Sequence, residues 1–104
     1  MSFDEKSWHE DMIAVRRDLH AHPELGYEEE RTARVVAQRL RDLQIETRTG
    51  VARTGVLGLV RGTQTDRTIL LRADMDALPI QEANEIEFRS QHDGKMHACG
   101  HDGH

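Results

Sequence analysis

The segment Met96-His97-Ala98-Cys99-Gly100-His101-Asp102-Gly103-His104 concentrates the reactive side chains of this chain. Three histidines and the sole cysteine fall within eight residues. On extended backbone, side chains repeat every two residues, so His97, Cys99 and His101 would share one side. Cys99 and His101 then make a thiolate–imidazole pair suited to zinc and similar divalent metals. Glycines at 100 and 103 let the backbone turn closely about an ion. A closed site takes about four ligands or open water positions. Cys99 and His101 supply two, and His97 and His104 are the nearest further imidazoles. The competing chemistry for Cys99 is nucleophilic attack with a histidine as base. His101 is too near in the chain to serve comfortably as that base, and no thiol-hydrolase motif surrounds the cysteine.

A second group is Arg72-Ala73-Asp74-Met75-Asp76-Ala77-Leu78-Pro79. It follows the apolar run Thr68-Ile69-Leu70-Leu71, and ligand sites in open α/β sheets collect beyond the carboxyl ends of strands. Asp74 and Asp76 are two apart and face the same way on extended backbone. Two such charges need a cation, a shared proton or strong hydrogen bonds. The structural alternative has one carboxylate capping a turn and the other pairing with Arg72. His20 and His22 form a third group, beside Pro23. Either is a potential ligand, but imidazoles at a helix C-terminus are also explained by the helix dipole.

The elements that must position these groups follow from periodicity. Residues 2 to 21 read as a helix, with Ser2/Glu5 and Ser7/Glu10 as Ser-x-x-Glu capping boxes and Ser7 the preferred start. Trp8, Met12, Val15 and Leu19 form its apolar stripe, and Pro23 stops it. A second helix is expected from Glu28 to Leu43, with Glu28, Glu29 and Glu30 at its positive end and Thr32, Val36 and Leu40 facing a core. Ile45, Thr47 and Thr49 alternate as in a half-buried strand. Val56-Leu57-Gly58-Leu59-Val60 and Thr68–Leu71 are continuous apolar runs, expected to be covered on both faces and to pair as a hairpin. Residues 80 to 95 are expected as a loop or flap with Phe88 as its anchor. No glycine pattern matches a phosphate-binding loop.

Composition bounds the rest. The chain has 104 residues, 37% hydrophobic, 4% aromatic and 32% charged. That is apolar-poor for a self-sufficient domain, yet too strongly patterned to be disordered. A piece of a larger domain fits best. The net charge of −5, without a basic tract, argues against nucleic acid and anionic membrane as partners. A single cysteine, no apolar leader and no long apolar segment point to a cytoplasmic chain.

Five stretches occur in order: Arg-Arg-Asp-Leu-His-Ala-His-Pro-Glu-Leu (16–25), Glu-x-x-x-Thr (28–32), Thr-Gly-Val-Leu-Gly-Leu-Val-Arg-Gly (54–62), Leu-Arg-Ala-Asp-Met-Asp-Ala-Leu-Pro (71–79) and Met-His-Ala-Cys-Gly-His-Asp-Gly-His (96–104). Together they closely resemble the N-terminal part of the metal-dependent amidohydrolases typified by hippurate hydrolase. That group also holds N-acyl-amino-acid and auxin-conjugate hydrolases, and sits among the co-catalytic metallopeptidases. The resemblance implies an α/β fold. Residues 1–104 would be the N-terminal portion of the catalytic domain of a two-domain metallohydrolase, two helices followed by a partial mixed sheet, without the lid domain. It implies two divalent metal ions, Mn, Zn, Co or Ni, that activate water to cleave the amide of a small N-acyl amino acid. Cys99 and His101 match metal ligands, and Asp76 matches the aspartate that supports the metal site. Asp74 stands where many relatives carry a metal-binding histidine and is not assigned as a ligand. The family's general base and other ligands match no residue here. The 104-residue chain alone is therefore expected to be inert, and its uncovered apolar strands imply a homo-oligomer.

Overall fold

The computed structural model describes residues 4–104, except the side chain of His101. Helix α1 spans Glu5–Ala21. It starts one turn before Ser7, because Asp4 has extended backbone and its carboxylate accepts from the Ser7 N–H at 3.3 Å. Aspartate caps a helix as well as serine does, so Ser7 becomes an interior residue. Ser2 of the other expected capping box lies outside the described residues. The helix stops at His22, ahead of Pro23 as expected.

Helix α2 spans Glu30–Asp42, shorter at its start than expected. Tyr27 has a φ of 66°, and the Glu29 carboxylate turns back to accept from the Tyr27 N–H and the Thr54 hydroxyl. The helix is capped from a distance instead. Glu24 accepts from the Arg31 N–H at 3.0 Å, the Thr32 N–H at 2.5 Å and the Thr32 hydroxyl at 2.7 Å. A carboxylate does sit at the positive end of α2, as the dipole favours, but it comes from the segment before it.

Strand β1, Glu46–Val51, pairs antiparallel with β2, Gly55–Leu59, in the register Glu46↔Leu59 and Arg48↔Leu57. Glycine at 58 lets β2 lie on α2: a Cβ there would press within 3.2 Å of Leu40 and 3.3 Å of Ile45. The run from Val56 therefore pairs with residues 46–51 and not with 69–71, and Leu57, Leu59 and Val60 are exposed. Ile69, Leu70 and Leu71 belong to no strand and are at least 79% exposed. Both expectations of two-sided cover are corrected. A strand buried on both faces needs paired edges and a layer packed on each face; β2 has β1 on one edge and α2 on one face, and residues 69–71 have no strand partner among the described residues.

The fold is α/β, two helices followed by a small sheet, with two isolated bridges beyond it. Leu25 pairs parallel with Ala77, and Leu78 pairs antiparallel with Met96. Among the described residues the buried apolar core is the alanines at 21, 37 and 77, and the largest fully buried side chains are Glu82, Thr32 and Pro23. Trp8 and Met12 of the α1 stripe are exposed and line an open groove with Val15, Leu40, Leu43 and Leu71. The radius of gyration is 15.3 Å, against about 13 Å for a compact domain of this length. Among the described residues no helix is long and apolar enough to cross a membrane.

Candidate metal centre

The residues with chemical potential meet around the end of α1. His20 is buried, with Nδ1 3.0 Å from Asp102 Oδ1 and Nε2 3.0 Å from Glu82 Oε1. Carboxylate oxygens only accept, so both contacts are satisfied when both ring nitrogens carry hydrogen. The helix-dipole reading of His20 thus understates its role, which is to join two distant segments. His22 is used locally, its Nδ1 2.8 Å from the Asp18 carbonyl. The Ala21 carbonyl accepts from the Gln91 N–H, and the Glu24 carbonyl from the Ala77 N–H, both at 2.8 Å. Residues 20–25 are therefore the hub to which the loop at 82–91, the Asp74–Asp76 segment and the 99–103 turn are attached.

The bridges at 77–78 set Asp76 beside the segment leading to Cys99. Leu78 and Met96 exchange N–H···O bonds at 2.9 and 3.0 Å. Asp74 pairs with Arg72, and its other oxygen lies 3.8 Å from His104 Nδ1. The pairing of one aspartate with Arg72 is thus realised. His97 is buried, with the Asp76 backbone in hydrogen-bonding reach of its ring. Burial lowers its pKa below the ordinary value; the Asp102 and Asp76 carboxylates oppose this, while His20 adds to it.

Beyond Ala98 the backbone bends into a 3-10 turn, Gly100–Gly103, with the Asp102 N–H donating to the Cys99 carbonyl at 3.1 Å. The two-residue alternation is lost there, so the expectation that His97 and Cys99 share one side is corrected. His97 is buried while Cys99 is an exposed free thiol. The His101 side chain lies outside the described residues, and its backbone sits in the turn, two residues after Cys99. A thiol and an imidazole so close in the chain suit a divalent metal, and the space beside Gly100 is open. No three donors converge among the described residues, so the turn offers part of a donor set.

The residues that pin this region were not singled out from sequence. Glu82 lies in a polar stretch without periodicity, and Glu24 caps a helix from outside the usual capping positions. Both have a measurable consequence. Burial alone would raise the two carboxyls, but it is outweighed at Glu24 by the Arg31 N–H and the Thr32 groups, and at Glu82 by the Ser90 N–H, His20 and Asn84. Both pKa values end below the ordinary 4.5. The folded chain then binds fewer protons than the unfolded chain below about pH 4.5, so stability present above that pH is lost as the pH falls through the folded values. Urea midpoints measured from pH 7 to 3 are expected to fall most steeply below pH 4.5. The Glu24→Gln/Glu82→Gln double variant should be less stable at pH 7 and show a shallower acid decline. An unchanged decline would refute these assignments.

Comparison with known proteins places the arrangement. The model of peptidase family M20/M25/M40 matches residues 70–104. Thermostable carboxypeptidase 2 of Saccharolobus solfataricus is 50% identical over 94 residues, covering 89% of this chain and 24% of that protein. The N-acyl-L-amino acid amidohydrolase of Geobacillus stearothermophilus is 51% identical over 94 residues, covering 90% of this chain and 25% of that protein. The crystal structure of the Bacillus subtilis YxeP protein, described as a dinuclear metal-binding peptidase of the M20 family, superposes with a TM-score of 0.91 at 44% identity. It covers 97% of this chain and 28% of that one. The chain spans about a quarter of the length of the curated relatives it matches. The matched segment holds the Asp74–Asp76 pair and the Cys99–His101 turn, and likeness in sequence and fold extends over nearly all the remaining residues, so this chain is similar over nearly its whole length to part of such proteins.

Proposed function

We propose that this chain acts as the N-terminal part of a metal-dependent amidohydrolase that cleaves N-acyl amino acids. The observation that carries the reading is the joining of residues 74–78 to residues 96–103 through the Leu78–Met96 bridge. It brings the Asp76 segment beside the turn that bears Cys99 and His101. Cys99 as thiolate and His101 as neutral imidazole would hold metal, and Asp76 would orient the site from behind them. Two bound divalent ions, of Mn, Zn, Co or Ni, would supply a water activated at neutral pH and polarise the amide carbonyl. Burial lowers the His97 pKa beside this site and so favours its neutral form. The remaining donors and the general base belong, in this reading, to sequence corresponding to the other three quarters of the relatives. The lone accessible thiol also suits a reducing, cytoplasmic setting, and the open apolar groove suits a homo-oligomer.

The test uses the full-length protein that carries this segment, assayed with each of the four metals against N-acetyl and N-benzoyl amino acids. Metal-dependent amino-acid release, abolished by a chelator, is expected. No amide turnover with any metal would overturn the proposal. The name of the Saccharolobus relative favours a second substrate, the C-terminal residue of a peptide. A blocked dipeptide in the same panel distinguishes it by relative kcat/KM. The 104-residue chain alone is expected to be inactive with every substrate, because its turn offers only part of a donor set.

A further inference from the structure

We infer that His20 is a positioning residue for the metal-binding turn, acting through Asp102. The inference rests on the reading that Cys99 and His101 hold metal. The 3-10 turn Gly100–Gly103 is short, contains two glycines and has no side-chain cover at either of them. Such a turn does not hold its donors still by backbone preference alone. The Asp102 side chain ties the turn to α1, lying between the two. Its Oδ1 meets His20 Nδ1 at 3.0 Å and its Oδ2 meets the Arg16 guanidinium. Arg16 and His20 are four residues apart, so one face of α1 presents both groups to one carboxylate. Arg16 is itself stacked on Phe88, its guanidinium carbon 4.9 Å from the ring centroid. The Arg16 contact is exposed, with its side chain 42% accessible, whereas the His20 side chain is 4% accessible. Water competes for the first contact and barely reaches the second, so His20 fixes where Asp102 lies.

The other ring nitrogen of His20 has a separate duty. It meets Glu82, which also accepts from the Ser90 N–H at 2.7 Å and so secures the loop at 82–90. One imidazole therefore carries two functions on two nitrogens, and the two can be separated. Asparagine places its amide near the position of Nδ1, and glutamine near that of Nε2. His20→Asn keeps a donor for Asp102 and abandons Glu82. His20→Gln keeps a donor for Glu82 and abandons Asp102.

The experiment titrates the full-length protein with cobalt(II), following the thiolate-to-metal charge-transfer absorption, and measures thermal unfolding of the metal-free form in parallel. His20→Asn is expected to be the less stable variant but to keep cobalt affinity within about threefold of the unmutated protein. His20→Gln is expected to be the more stable variant and to lose affinity by about 10–100-fold, the usual cost of losing a group that orients a metal ligand. Asp102→Ala, which leaves the buried His20–Glu82 contact in place, should lose affinity by a similar factor with little change in helix content. It decides the matter if either His20 variant does not fold. Affinity that follows stability across the two His20 variants, or is unchanged in Asp102→Ala, would overturn the inference. Absence of the thiolate absorption in the unmutated protein would instead overturn the metal reading of Cys99 and this inference with it.

Discussion

Cys99→Ala is expected to lower metal affinity by more than about 100-fold while leaving the fold intact. A structural zinc site is worth about 10–16 kcal/mol over four ligands, so one ligand carries about 2.5–4 kcal/mol, about two to three powers of ten in affinity. The fold should not notice the change. Cys99 is exposed, bonded to no other cysteine and outside every helix and strand. Exposed substitutions away from caps and buried networks usually stay within about 0.5 kcal/mol. Metal content, circular dichroism and amide turnover of the full-length variant should be measured on one preparation. Low metal, native dichroism and lost turnover are the expected set. Normal metal content with a normal rate would show that Cys99 is not a ligand. Loss of turnover with full metal content would revive a nucleophilic role for the thiol. His101→Ala carries the same expectation from its place in the motif.

The two helices were legible because their signals are local. The apolar spacing of α1, the stop at Pro23 and the acids before α2 act within a few residues of where they are read. β1 was legible from its alternation at residues 45–49. The cover on the apolar runs was not, because a run such as Ile69–Leu71 states a demand for neighbours and does not say whether the chain supplies them. The site divided in the same way. Asp74, Asp76, Cys99 and His101 stood out as candidates by type and spacing, and only the resemblance set Asp76 apart from Asp74. Asp102 was within a singled-out motif but carried no separate signal. Glu82 and Asp102 acquire meaning only from His20, which lies 62 and 82 residues away in the chain. No periodicity or capping rule spans that separation. Glu24 was missed for a related reason: it reaches the Arg31 and Thr32 amides over seven and eight residues, beyond the three of an ordinary capping box.

Glu82→Ala is expected to be the most destabilising single substitution at this hub, by about 2–6 kcal/mol, the usual cost of leaving two buried donors without an acceptor. The Glu82 side chain is fully buried. It accepts from His20 Nε2, from the Ser90 N–H and from Asn84 Nδ2 at 3.2 Å. Alanine leaves a buried imidazole N–H and a backbone N–H without acceptors and opens a cavity where the carboxylate stood. Each unsatisfied group costs about 1–3 kcal/mol. Natural domains have about 5–15 kcal/mol in total, so the variant should lose a large share of its folded population on mild heating. Glu82→Gln separates charge from shape. His20 Nε2 and the Ser90 N–H both meet Oε1, so a glutamine carbonyl in that place can still accept from both and should recover much of the loss. Urea unfolding of the unmutated protein and both variants at pH 7 gives the comparison. A Glu82→Ala variant within about 1 kcal/mol of the unmutated protein would show that the loop at 82–90 is held by Phe88 against Arg16 and Arg17, and not by the buried carboxylate. In that case the His20–Glu82 contact would be incidental to stability, and the hub would rest on Glu24, the Ala21–Gln91 and His20–Asp102 contacts and the two bridges.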